Sequence, residues 1–204
     1  ADWALSKNRT DSEYKQSILV IQQHADKLNK ITSDLLTLAQ SSFNGKQQDH
    51  EEMGVLELIE ESAFSVRNLI KGTAISINIS HQQLENSDLT LTGNKTLLKL
   101  ALGNIIANGA KYSNQKNVVI GVEVLNDTVR ILITDQGIGI PEREISKIFE
   151  PFFRASNTGA YEGYGVGLPL AMNIIRIHHG NIDVSSTEGI GTTVAVSLPI
   201  NPIA

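Results

Sequence analysis

No cysteine occurs among the 204 residues, which excludes disulfide staples and thiolate metal sites and fits a reducing compartment. No apolar run reaches membrane-spanning length, and the first residues carry no signal-peptide pattern. A basic arm is also missing. The formal net charge of −5 gives no reason to expect a nucleic-acid surface or an anionic membrane patch. There are no internal repeats and no initiator Met before Ala1, so an excised fragment is expected, with any membrane anchor upstream. What is present is a 41% hydrophobic content, enough for a sizeable core in one large domain with or without a smaller element.

The first forty-odd residues differ from the rest. Ile18, Ile21, Ala25, Leu28, Leu35 and Ala39 recur at three- and four-residue steps, interrupted by the polar Thr32, as in a long amphipathic helix that packs on other helices. Thr10 and Glu13 supply a capping-box start. Trp3 to Lys7 is then the tail of a preceding helix, the two forming a hairpin joined near Asn8 to Asp11. The polar stretch Gln40 to Glu52 lacks an apolar period and reads as a boundary, dividing residues 1–45 from a domain over 46–204.

In that domain the spacing predicts helices over Val55 to Ile70, Leu97 to Lys111, Pro141 to Ile148 and Leu168 to about His178. Alternation predicts strands over Ala74 to Ile79, Val118 to Val124, Val129 to Asp135, Ile182 to Ser186 and Thr192 to Leu198, the second and third forming a hairpin. Glu150 to Glu162 reads as a loop. The order implies an α+β fold, with helices on one face of a largely antiparallel sheet.

Two glycine clusters stand out, "DQGIGIP" and "EGYGVGL". Gly137 and Gly139 permit a sharp turn and a close ligand approach, and Asp135 at its mouth offers an acceptor to a ligand's amino group. Gly163, Gly165 and Gly167 lead into an apolar helix whose free N–H groups and dipole suit phosphate. Either cluster alone is more often a turn than a ligand site. Upstream, Asn104 and Asn108 lie four residues apart on one helical face. They either satisfy nearby backbone groups or provide an amide oxygen for Mg²⁺, with Lys111 one turn on to meet a phosphate.

These motifs carry a resemblance. "NIIANGAKYS" resembles the N box of sensor histidine kinases, "DQGIGI" the first glycine box, "IFEPFFR" the F box, "GYGVGL" the second glycine box and "GIGTT" the last. The five stand in the family's order over about Leu97 to Val194, and the region before residue 45 resembles the dimerisation hairpin more loosely. The resemblance implies the Bergerat ATP-binding fold, a two-layer α/β sandwich, with ATP and Mg²⁺ as cofactors. It implies that Asn108 coordinates Mg²⁺ and Asn104 lines the same pocket, that Lys111 contacts phosphate, and that Tyr112 packs near the adenine. Asp135 would accept from the adenine amine, with Gly137 and Gly139 shaping that pocket. Gly165, Gly167 and Leu168 would form the phosphate-facing hinge of a lid, Arg154 would be a phosphate contact or a solvated lid charge, and Thr192 and Thr193 would close the pocket floor.

The activity implied is transfer of the ATP γ-phosphoryl group to a His on the hairpin, for relay to the Asp of a response regulator receiver domain. A homodimer and a cytoplasmic domain of a membrane-anchored bacterial sensor follow from the same resemblance. The alternatives are an ATPase module of the same superfamily, disfavoured because Asn104 stands where such enzymes carry a glutamate base, and an inactive nucleotide-binding module. Three positions depart from the family's pattern: Gly109 where alanine is usual, Tyr164 in place of a small residue, and Asn94 where aspartate is usual, away from the chemistry. No "HELRTP"-like acceptor box occurs. His24, His50, His81, His178 and His179 all lack it, and the acceptor is expected upstream.

Overall fold

The computed structural model describes residues 10–22, 50–70, 72, 74–78, 89–113 and 117–200. Residues 11–22 form helix α1. Its start is the expected capping box: the Thr10 N–H donates to Glu13 Oε2 at 2.9 Å, and the Glu13 N–H donates to Thr10 Oγ1 at 3.3 Å. The seam positions from Ala25 to Ala39, the Trp3 to Lys7 segment, the boundary at residue 46, His24 and His81 lie outside the described residues.

The rest is built on a five-stranded sheet. Strand order is β2 (Ile75–Asn78), β4 (Val118–Leu125), β5 (Thr128–Asp135), β7 (Gly191–Pro199), β6 (Asn181–Thr187). Only β2 and β4 run parallel; the other pairs are antiparallel. Alternation made these strands legible because one face is buried. Val118, Ile120 and Val122 on β4, and Val129, Ile131 and Ile133 on β5, face the core while their neighbours are half-buried. Three helices pack there: α2 (Val55–Leu69), α3 (Lys95–Tyr112) and α4 (Gly167–Ile177), with α3 between the other two and against β4 and β5.

Helix α2 buries Val55, Leu58, Ile59, Ala63 and Val66 along one stripe. Ser62 sits in that stripe because its hydroxyl donates to the Leu58 carbonyl at 2.7 Å. On the solvent side Lys95 meets Glu57 at 2.7 Å and Glu61 at 2.9 Å, and Lys99 meets Glu61 at 2.6 Å, so α2 and α3 are cross-linked. Those lysines hold the Glu61 carboxyl down at about 2.

Three expectations need correction. The sequence reading has no strand at Glu51–Gly54 or Thr90–Gly93, yet these pair antiparallel as β1 and β3, burying Met53 opposite Leu91. The first overlaps the end of the stretch read as a polar boundary, because four residues are too few to show a period. The segment after Pro141 is a 3₁₀ helix, Glu142–Lys147, and Pro141 is its cap residue, not its first turn. A second 3₁₀ turn, Ser156–Thr158, interrupts the expected loop.

Candidate functional site

One face of α3, the end of β5 and the segment between the two glycine clusters enclose a cavity of about 380 Å³. Asn104, Asn108, Lys111 and Tyr112 reach it from α3, Asp135 from β5, Gly139 from the turn beyond, and Gly165 to Leu168 from the start of α4. Asp135 is inward because Val129, Ile131, Ile133 and Asp135 are two apart on one strand face. Its Oδ1 accepts the Gly137 N–H at 2.8 Å. Burial pushes its carboxyl above the ordinary value, against the lowering pull of the Gly137 and Thr192 N–H groups.

The glycine turn is sterically obligatory. A Cβ on Gly137 would stand 2.2 Å from the Tyr112 carbonyl oxygen, and one on Gly139, at φ +62°, 2.1 Å from the Thr187 carbonyl oxygen. The turn is therefore wedged between the end of α3 and the end of β6, with the Ile138 N–H donating to Tyr112 O at 3.2 Å. This sets the base of the cavity.

On the opposite side, Asn104 packs against the first residue of α4; a Cβ on Gly167 would lie 3.4 Å from its Oδ1. Its buried Nδ2 has no partner among the described residues, and a buried amide donor calls for one. Val166 caps α4 without any side-chain hydrogen bond, so the N-terminal N–H groups of that helix end at the cavity. The described residues include no cluster of three His, Cys, Asp or Glu side chains able to hold a metal ion. Mg²⁺, however, commonly takes one or two protein oxygens and shares the rest with substrate phosphates. The amide oxygens of Asn104 and Asn108 are ligands of that kind, while the unpaired Asn104 Nδ2 is a donor suited to a phosphate oxygen and not to the cation.

The segment from Phe152 to Gly165 is pinned at its root. The Phe152 N–H donates to the Gly165 carbonyl at 2.9 Å, Phe152 itself holding φ +67°. Arg154 turns inward along the loop: its Nη2 donates to the Thr158 carbonyl at 2.8 Å and to the Tyr161 carbonyl. Asn157 donates to Gly139 O at 3.0 Å, tying the loop to the glycine turn, and Glu144 accepts the Ser156 N–H at 2.9 Å. At the mouth, Tyr112 and Tyr161 meet edge to face with centroids 5.0 Å apart. The Lys111 Nζ lies 2.9 Å from the Tyr112 hydroxyl, beside Gly163.

Most of the residues singled out from the sequence thus border one cavity. Two do not line it. Gly137 lies beneath the wall, in contact with Tyr112 and Asp135. Thr193 is a correction to the expected pocket floor, since it faces the other side of β7, where its hydroxyl meets that of Thr134 at 3.0 Å. Asn94, expected to be remote from the chemistry, is the N-cap of α3, its side chain accepting from the Leu97 N–H. Asn157, Tyr161 and Ser186 were missed; the first two sit in a loop without periodicity, and Ser186 in a strand whose polar residues look alike.

A family model described as "Histidine kinase-, DNA gyrase B-, and HSP90-like ATPase" matches residues 93–202. The sensor histidine kinase AtsR of Burkholderia thailandensis is 26% identical over 202 residues, 96% of this chain and 33% of AtsR. The chain therefore spans about a third of that relative's length. The mycobacterial sensor histidine kinase MprB superposes with a TM-score of 0.64 at 26% identity, over 76% of this chain and 99% of that one. Full-length ShkA in complex with AMPPNP gives a TM-score of 0.78 over 97% of this chain and 41% of that one. At 19% identity that likeness speaks for the fold alone. The family match runs from the end of β3 past the last strand, over more than half of the sequence, and by it the chain belongs to the histidine kinase-, DNA gyrase B- and HSP90-like ATPase family.

Proposed function

We propose that the chain is the ATP-binding catalytic core of a sensor histidine kinase, presenting the γ-phosphoryl group of ATP to a histidine outside this cavity. The observation that carries the reading is the cavity itself, which joins a part-buried carboxylate at one wall to an amide face and a helix N-terminus without a side-chain cap at another. An ionised Asp135 accepts an exocyclic amine and so orients a purine. The N-terminal amides of α4 and the Lys111 ammonium attract phosphate. Asn108 would hold Mg²⁺, with Asn104 lining the same pocket, and the bound ion would supply neutralisation of phosphate charge. The pinned loop from Phe152 to Gly165 covers the phosphate side and limits water.

The protein side of this chemistry is positioning. No described histidine lines the cavity. His178 is engaged elsewhere, its Nε2 accepting from Asn94. Asn104, an amide, cannot take a proton from water at neutral pH, which disfavours the ATPase alternative. The exposed Ile18 and Ile21 on α1 support helix pairing and a homodimer. An aspartate on a receiver domain is the proposed final acceptor, and a cytoplasmic position beside a membrane anchor the proposed setting. Among the described residues no helix is long and apolar enough to cross a membrane.

The test is incubation of the chain with γ-labelled ATP, Mg²⁺ and a histidine-bearing hairpin. Label that appears on the hairpin, lost in acid and kept in base, is the expected result. Release of free phosphate without labelled protein would favour the ATPase reading.

A further inference from the structure

Ser186 on β6 uses every hydrogen-bonding position of its hydroxyl. Its Oγ accepts the Ile140 N–H at 2.9 Å, donates to the Gly191 carbonyl at 2.9 Å, and lies 2.9 Å from Thr192 Oγ1. A hydroxyl has one proton and two lone pairs. The Gly191 carbonyl can only accept, so it takes the Ser186 proton, and the Ile140 N–H can only donate, so it occupies one lone pair. Thr192 must therefore give its own proton to the lone pair that remains. Its oxygen is left with acceptor capacity alone.

Register puts this beside the carboxylate. Asp135 stands opposite Thr192, and Thr192 opposite Ser186, so the three share one sheet face. It is the face of Ile133, Val194 and Val184, which line the cavity as Asp135 and Thr192 do. Asp135 and Thr192 thus form a stretch of wall whose side-chain oxygens both accept.

We propose that Ser186 is a specificity-positioning residue: by taking the Thr192 proton it keeps this wall acceptor-only, selecting a purine with an exocyclic amine over one with a carbonyl there. The inference rests on the nucleotide reading of the cavity. An acceptor set against an acceptor leaves both unpaired, which costs more than a missing bond. With Ser186 removed, the Thr192 hydroxyl turns freely and donates to a carbonyl, and the discrimination weakens.

The experiment measures affinities of non-hydrolysable ATP and GTP analogues for the wild type, Ser186→Ala, Thr192→Val and the double variant. Wild type prefers the ATP analogue. Ser186→Ala lowers that preference by about tenfold, the scale of one hydrogen bond, and adding it to Thr192→Val changes the preference no further. Thr192→Val leaves the bonds from Ser186 to Ile140 and Gly191 in place, so it tests the acceptor even where Ser186→Ala folds poorly; it too lowers the preference. Equal loss of both analogues in Ser186→Ala, an unchanged preference in Thr192→Val, or a further change in the double variant overturns the proposal. A wild type that binds neither analogue overturns the nucleotide reading beneath it.

Discussion

The backbone N–H of Asn94 donates to Nε2 of His178 over 3.0 Å, joining the start of α3 to the end of α4 across 84 positions of sequence. The other ring nitrogen, Nδ1, lies 2.7 Å from the Ile174 carbonyl oxygen, which can only accept. The proton therefore sits on Nδ1, and the ring is neutral. Burial lowers the His178 pKa from its ordinary 6.5, the Ile174 carbonyl opposes this, and His50 and His179 add to it. The unfolded chain consequently binds a proton there before the folded one does. This contribution to stability is complete above 6.5 and is lost as pH falls toward the lower folded value. Urea melts at pH 7.5 and 5.5 should show a drop in wild type that is smaller in His178→Gln; an equal drop would refute the assignment.

Asp135 has the opposite linkage. Its folded pKa is raised by burial, so folding is favoured below the ordinary carboxylate value and loses stability as pH rises through the folded pKa. Where Asp135 is ionised with no ligand bound, this part-buried carboxylate carries a desolvation cost. Asp135→Asn keeps an oxygen for the Gly137 N–H and removes that charge. Its melting temperature should rise while affinity for ATP falls by at least tenfold, the scale of one charge-assisted hydrogen bond. A variant that loses stability and keeps affinity contradicts the role given to the carboxylate.

Gly137→Ala and Gly139→Ala should each abolish nucleotide binding. The added methyl would meet backbone at 2.2 and 2.1 Å, so the chain has to move. Gly139 adds a positive φ of +62°, unfavourable for alanine by about 1 kcal/mol. The expected destabilisation in chemical melts is roughly 2 kcal/mol or more in each. Near-wild-type stability would mean that the turn is looser than the contacts imply.

Gly109→Ala should do the reverse. At this position inside α3 a Cβ meets Val118 Cγ1 at 3.4 Å and Cγ2 at 3.5 Å, which is ordinary contact. Alanine is the better helix former by about 1 kcal/mol, and thermal melting should report a gain of that size. A loss would show that the Val118 side chain cannot accommodate the methyl.

How much of this was legible in the sequence depended on period and length. The inward stripe of α2 and the alternation of β4 and β5 were readable because each runs for two or more turns or pleats against one core. Strands β1 and β3, four residues each, were not. The site's chemistry was read through motif order, not through geometry, and this explains the error at Thr193. Neighbouring strand residues point to opposite faces, so only one of Thr192 and Thr193 could share the buried side of Val194 and Val196. That signal was available. The roles of Ser186 and Asn157 were not, because they arise from bonds to Ile140 and Gly139, 46 and 18 positions away.

The most direct test of the central claim is calorimetric titration with a non-hydrolysable ATP analogue, with and without Mg²⁺, for the wild type, Asp135→Asn and Asn108→Ala. The account predicts saturable binding that Mg²⁺ strengthens, weakened in Asp135→Asn under both conditions and made insensitive to Mg²⁺ in Asn108→Ala. Absence of binding by the wild type, or binding that neither substitution alters, would contradict it.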